Sequence, residues 1–452
     1  MTVFKKTLAA AVMGAAMAAL PAAAETIVID NVTLIDGTGA KPRQGMTVVV
    51  EDGRFSQVVP SKAAGEIKGT RIDGTGKFLI PGLMDMHIHL KGGLKVSKEG
   101  LREAAIDRKT GEQALASYIY SGVTAIYDAG NNPDFIYSLR ADERAGKIQS
   151  PRIFATGGVV TYPGSHGTAE GYAPIDSWPE AKPILDKHIA LKPDIVKFTL
   201  EERGWGARPT IPLLPVDLLQ KAIEYYNDRG IRTTVHTSGE TRAREAIFAG
   251  IDTLAHPVIQ GPITSEFANL MGARKIPMTT TLTIGENYSR LAEHPEYLDQ
   301  PLYRAALSEA EIKQLKTEQR AKWQQERWTW WMKLMTPVAQ DNLRQIHEAG
   351  GVLVVGTDQT IGPAVHREME LLADAGIPPL DIITMATRNG AIFLGRDDLG
   401  TIAPGKLADA VLLNADPTVD INNAKNIYLV MKDGRIVDES KLPLAGKAEK
   451  RR

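Results

Sequence analysis

Short apolar runs broken by glycine turns open the chain. Ile27-Val28-Ile29, Val32-Thr33-Leu34-Ile35 and Met46-Thr47-Val48-Val49-Val50 are rich in β-branched residues and predict strands, with turns at Asp36-Gly37 and Asp52-Gly53. These strands are too few to close a core. Their complement stands at the far end, in Asp409-Ala410-Val411-Leu412-Leu413 and Ile427-Tyr428-Leu429-Val430-Met431, with Asp433-Gly434 turning into Arg435-Ile436-Val437. Residues 25–80 and 400–440 are therefore expected to form one composite β-sandwich bracketing the middle of the chain.

The middle, residues 81–399, alternates strand and helix patterns. Gly122 to Asp128, Arg152 to Thr156, Asp194 to Phe198, Ile231 to His236, Thr253 to His256, Ile276 to Thr281 and Val352 to Asp358 all read as short strands. Between them, Leu218, Leu219, Ala222, Ile223 and Tyr226 recur at helical spacing with Gly230 as the stop, and Glu240 to Ala249 reads as a helix closed by Gly250. Residues 282–345 exceed what a crossover needs and read as a helical, tryptophan-rich insertion. It carries Trp323, Trp328, Trp330 and Trp331, four of the six tryptophans. Such a face suits packing on the outer wall or on a second subunit, or a lid over a substrate pocket.

Composition changes this picture in three places. With 43% hydrophobic and 24% charged residues the chain is an ordinary globular enzyme, and a net charge of -1 argues against a nucleic-acid partner. Lys5 and Lys6 precede an apolar stretch from Leu8 to Leu20 and the small residues Ala22-Ala23-Ala24, so residues 1–24 read as a cleaved signal peptide. The stretch is too short to span a bilayer, and the expected location is the periplasm or beyond, with no membrane anchor. Cysteine is absent, so any metal must be held by histidine, carboxylate or a modified lysine.

The richest chemistry lies in Pro81-Gly82-Leu83-Met84-Asp85-Met86-His87-Ile88-His89. A strand has a side-chain period of two, so His87 and His89 project from one face and can grip one ion. This string resembles the end of the first barrel strand in the amidohydrolase superfamily, of the binuclear, carboxylated-lysine type, on the side of the prolidase-like and imidazolonepropionase-like branch. Gly400 to Asp409 resembles the segment by which such chains re-enter the small β domain, and Ala386 to Ala391 the last barrel helix. The resemblance implies an α/β fold, a (β/α)8 TIM barrel joined to the composite sandwich.

It also implies a ligand set. His87 and His89 match the strand-one pair, Lys197 the bridging lysine of strand four, His236 and His256 the histidines of strands five and six, and Asp358 the aspartate of strand eight. Two divalent ions, zinc first, are then expected, with a CO2-derived carbamate on Lys197. The other reading of Lys197 is a core-edge lysine salt-bridged to Asp194 or another acid. By the same resemblance Asp358 is the catalytic proton shuttle beside a metal-activated hydroxide, and His166, in Tyr162-Pro163-Gly164-Ser165-His166-Gly167, contacts the substrate. Asp128 is expected to support the site. His366 is expected on a helix surface, and His188, His294 and His347 in structural or solvent-facing roles.

The function this implies is an exported, metal-dependent hydrolase of an amide-type C–N bond in a small molecule (peptide-like, N-acyl or cyclic amide), acting as a homo-oligomer. The alternatives are a lactone or ester hydrolase, a metal-dependent decarboxylase on the same barrel, and a non-catalytic metal-binding protein. The stretch after Lys197, Phe198 to Trp205, lacks the glycine-rich turn common in the dipeptidase branch.

Overall fold

A computed structural model describes residues 26–96, 102–168, 173–203, 210–449 and 451. The signal-peptide assignment and residues 204–208 of the loop after strand four lie outside the described residues.

Both termini build the small domain. Ile27–Leu34, Arg43–Glu51, Arg54–Pro60, Thr70–Asp73 and Phe78–Pro81 join Ala410–Leu413, Ile427–Lys432 and Arg435–Ile436 in one hydrogen-bonded sheet. The seam is antiparallel: Val411 faces Ile80 and Leu412 faces Leu79. Val48, Val50, Leu79, Leu412 and Leu429 form its core. The sequence pattern does not predict Arg54–Pro60 and Thr70–Asp73, because charged and polar residues interrupt their apolar runs. The two Asp-Gly turns hold both residues at positive φ: 50° and 76° at Asp52-Gly53, 51° and 71° at Asp433-Gly434. That is the hairpin geometry whose twist matches the flanking strands.

Eight parallel strands then form the barrel, as expected: Leu83–Ile88, Val123–Asp128, Arg152–Ala155, Ile195–Thr199, Arg232–His236, Thr253–Leu254, Met278–Thr279 and Leu353–Val354. Strand four meets strand three where the Asp194 amide donates to the Ala155 carbonyl at 2.9 Å, and strand eight closes on strand one where Met86 N donates to Val355 O at 3.0 Å. Glycine is required at that closure, since a Cβ on Gly356 would stand 2.9 Å from Cβ of His87. The buried Asp85 clamps the same joint, accepting from Thr357 N at 3.0 Å and Thr357 Oγ1 at 2.7 Å. Burial pushes the Asp85 carboxyl up to about 8.

Helices cover the outside. Val216–Asn227 buries Leu218, Leu219, Ala222, Ile223 and Tyr226, the spacing read from the sequence. Arg388–Leu394 is the last barrel helix and ends on Gly395 at φ 67°. In the insertion, Leu282–Glu293 packs along Arg327–Glu348. Trp328 and Trp331 pack against the barrel's core, whereas the Trp323 ring lies tilted by 36° against that of Tyr288, ring centres 4.4 Å apart. Trp330 and Leu334, one turn apart, are 63% and 47% exposed. Among the described residues no helix is long and apolar enough to cross a membrane.

Candidate active site

All six candidate ligands converge at the C-terminal rim of the barrel, where loops following the strands build sites in this architecture. His87 Nδ1 lies 2.8 Å from the Ala255 carbonyl and His89 Nδ1 2.7 Å from the Gly130 carbonyl. A carbonyl only accepts, so both Nδ1 atoms carry the proton and each Nε2 presents its lone pair on the side away from the carbonyl. Asp358 Oδ1 stands 3.4 Å from His89 Nε2 and 3.8 Å from His87 Nε2. One donor atom from each of these three residues falls within 4.8 Å of the others, a possible metal site.

The second group faces the first. His256 Nδ1 lies 2.9 Å from Thr281 Oγ1, and its ring centre is 4.4 Å from that of His87 and 4.5 Å from that of His236. Lys197 is 3% exposed and places Nζ 3.2 Å from His87 Nε2. Asp194, one acid offered as a partner for Lys197, is taken: it accepts from Arg140 at 2.5 Å and Arg144 at 3.0 Å. Burial holds His87, His236 and His256 well below the ordinary imidazole range, and the neighbouring Lys197 lowers each further. Neutral imidazole is the ligand form, so the donor set suits a divalent cation.

Around this cluster the loops are fixed by hydrogen bonds. Asp358 sits in the left-handed region at φ 52°, and its amide donates to the His87 carbonyl at 2.6 Å. Asp128, expected to support the site, accepts from Leu90 N at 3.0 Å, Gly130 N at 3.2 Å and Asn131 Nδ2 at 2.9 Å, so it sets the carbonyl that orients His89. The His166 ring stacks on His236, 4.1 Å apart and 12° from parallel, and its carbonyl accepts from Thr161 and Thr199.

The sequence reading missed three residues that touch the cluster or its supports. Glu201 is buried, bonded to Ser238, Arg203 N and Gln260, with Oε2 3.9 Å from His236 Nε2. Its signal was present: Lys197, Thr199 and Glu201 share one face at a period of two. Thr281 and Glu368 carried no such signal. His366 is a correction, being 2% exposed and bonded through Nε2 to the Ser121 carbonyl at 2.9 Å, not on the helix surface. His188 is structural as expected, held between Tyr226 OH and Thr156 O.

Residues 78–437 match the amidohydrolase family. Imidazolonepropionase of Mycolicibacterium smegmatis is 24% identical over 463 residues, covering 92% of this chain and 98% of that protein. A putative aminohydrolase of Methanothermobacter thermautotrophicus is 37% identical, over a stretch spanning 21% of this chain and 28% of its own length. In fold, the chain resembles a Xaa-Pro dipeptidase crystallised with methionine in its active site (TM-score 0.72, 23% identity, 91% of this chain and 99% of that one). Molinate hydrolase is similar as well, with TM-score 0.71, 22% identity, and 93% and 96% covered. Read with the site geometry, the match places this chain in the amidohydrolase family, as a hydrolase acting on carbon–nitrogen bonds.

Proposed function

We propose that the mature protein is an exported, binuclear metallohydrolase that cleaves an amide-type C–N bond in a small molecule: a peptide-like, N-acyl or cyclic amide. The observation that carries this reading is the position of Lys197 Nζ, 3.2 Å from His87 Nε2 and buried among ligand-competent imidazoles. An ammonium there occupies a lone pair that a cation would need. Carboxylation by CO2 turns the same side chain into an anionic bridge, and a buried position favours the neutral amine that reacts.

His87, His89 and Asp358 would hold one ion and His236 and His256 the other, with Lys197 between them. Bound divalent ions, zinc first by donor type, supply Lewis acidity toward the scissile carbonyl and lower the pKa of water. The remaining work falls to the chain. The Asp358 carboxylate, 13% exposed at the rim, can take the proton of the attacking water and return it to the leaving nitrogen. Its left-handed backbone and the 2.6 Å bond to His87 O hold it at that position. His166, stacked on His236, is placed to contact the substrate carbonyl.

The deciding experiment is metal analysis of the purified mature protein, with turnover measured on dipeptides, N-acyl amino acids, lactams and lactones. About two metals per chain and hydrolysis of an amide are expected. Hydrolysis confined to lactones would replace the amide assignment, and a metal-free, inactive protein would end it. N-terminal sequencing of the exported protein tests cleavage after Ala24.

A further inference from the structure

Next to the candidate ligands lies a cavity of about 170 Å³ that the insertion encloses. One side of it is apolar, formed by Leu291, Tyr297, Leu298, Leu307, Leu315 and Trp323, and Thr283, Glu286, Asn287 and Arg290 line it as well. Most of the apolar residues form a hydrophobic cluster of their own, separate from the barrel core. Its floor is the rim of the candidate site. Gln359 and Thr360 follow Asp358 directly, Lys91 stands two residues after His89, and the Gln359 carbonyl accepts from His89 N at 3.3 Å.

Most of the charges bordering the cavity are engaged with neighbouring residues, while Glu286 Oε2 and Arg367 Nε are buried without a hydrogen-bond partner among the described residues. Arg367 donates to Glu286 at 2.9 Å, Lys91 pairs with Glu311 at 3.4 Å, and Arg290 lies over the Tyr297 ring at 4.0 Å while donating to Tyr303 OH at 3.2 Å. Against its apolar side the cavity has room of benzene size, since an apolar cavity of roughly 150 Å³ accepts one aromatic ring.

The geometry points to this cavity as a specificity pocket that takes one aromatic or branched aliphatic substituent of the substrate, carried on the carbon beside the scissile amide. The inference rests on the amide-hydrolase reading above. It makes the insertion between strands seven and eight the determinant of side-chain preference. Trp323 is the stacking wall, while Trp328 and Trp331 anchor the insertion to the barrel.

The test compares wild type, Leu315→Trp, which fills the cavity, and Trp323→Ala, which enlarges it, on N-acetylphenylalanine and N-acetylglycine and on dipeptides differing in the same way. Wild type should prefer the phenylalanine member by about ten- to two-hundredfold in kcat/KM. Leu315→Trp should erase that preference, the phenylalanine member losing far more kcat/KM than the glycine member while the metal content holds, and Trp323→Ala should favour a naphthyl over a phenyl group. Equal kcat/KM for the pair in wild type, or equal losses on both in Leu315→Trp, would overturn the pocket. If no amide is cleaved, the functional reading fails by itself, and calorimetry with 3-phenylpropionate still decides the cavity. Saturable binding lost in Leu315→Trp supports it, and no binding to folded wild type sinks it. Should Leu315→Trp not fold, the naphthyl preference of Trp323→Ala carries the decision.

Discussion

The hydroxyl of Thr281 stands 2.9 Å from Nδ1 of His256 and caps nothing, although Thr281 is the N-cap residue of helix Leu282–Glu293. A threonine at that position usually accepts from its own helix. Here it sits at φ 33° and ψ 40°, a left-handed conformation costly for a β-branched residue. Glu368, from helix Ala364–Asp374, supplies the cap instead, accepting from Leu282 N and Thr283 N at 2.8 Å each. One carboxylate thus frees a hydroxyl to fix an imidazole.

If Thr281 positions His256, Thr281→Val should weaken metal binding about ten- to a hundredfold, and Thr281→Ser should restore it. Nitrogen NMR of histidine-labelled, metal-free protein gives a readout independent of activity. His256 should be protonated at Nδ1 in wild type and in the serine variant, and mixed in the valine variant. Glu368→Gln turns an amide N–H toward the helix donors and should cost about 1–3 kcal/mol of stability. Identical ring-nitrogen spectra in all three Thr281 proteins would leave Thr281 without this role.

Lys197→Ala should lower metal content and activity together, because it removes the group proposed between the two histidine sets. Acetate or propionate, which can stand where the carbamate stood, should restore part of both. A full complement of metal in the variant would contradict a bridging lysine, as would a wild-type protein holding one ion.

What the sequence made legible follows one rule: a chemically unusual residue within or just after a short apolar strand. His87, His89, Lys197, His236, His256 and Asp358 each satisfy it, and the barrel brings those positions to one rim. Thr281 and Glu368 do not, since their pairing depends on a left-handed turn and on a helix nearly ninety positions away in the chain. His366 and Glu368 lie in Val365-His366-Arg367-Glu368-Met369-Glu370, whose alternating polarity reads as a solvent face. Both are buried, with backbone groups of other elements bonding His366 Nε2 and the Glu368 carboxylate. The cavity behind Trp323 is likewise invisible in sequence, because it depends on how the short insertion helices fold over Gln359.

Asp358→Asn keeps the side chain's shape and removes its basicity. Turnover should fall by about a hundredfold to ten-thousandfold, the range of a lost general base. The ion assigned to His236 and His256 should remain, so metal content should fall by no more than half. Near-normal turnover would take Asp358 out of the proton path.

His366 gives a prediction about pH that lies away from the site. Burial, with Lys425 adding to it, pushes its imidazole from 6.5 down to about 4. The folded protein therefore keeps His366 neutral where the unfolded chain already binds the proton. Between pH 6.5 and 4 the unfolded state holds more protons, so stability rises with pH in that window. The full contribution is present above pH 6.5 and is lost as pH falls through 4. A displacement of that size is worth about 3 kcal/mol. His87, His236 and His256 act in the same direction, so the comparison must be differential. Urea unfolding of metal-free wild type and His366→Gln at pH 7 and pH 4.5 isolates the residue, because glutamine can still donate to the Ser121 carbonyl and does not titrate. The wild type should lose more stability on acidification than the variant. Equal losses would mean that His366 is protonated in the folded protein, and that the Ser121 bond holds a charged ring.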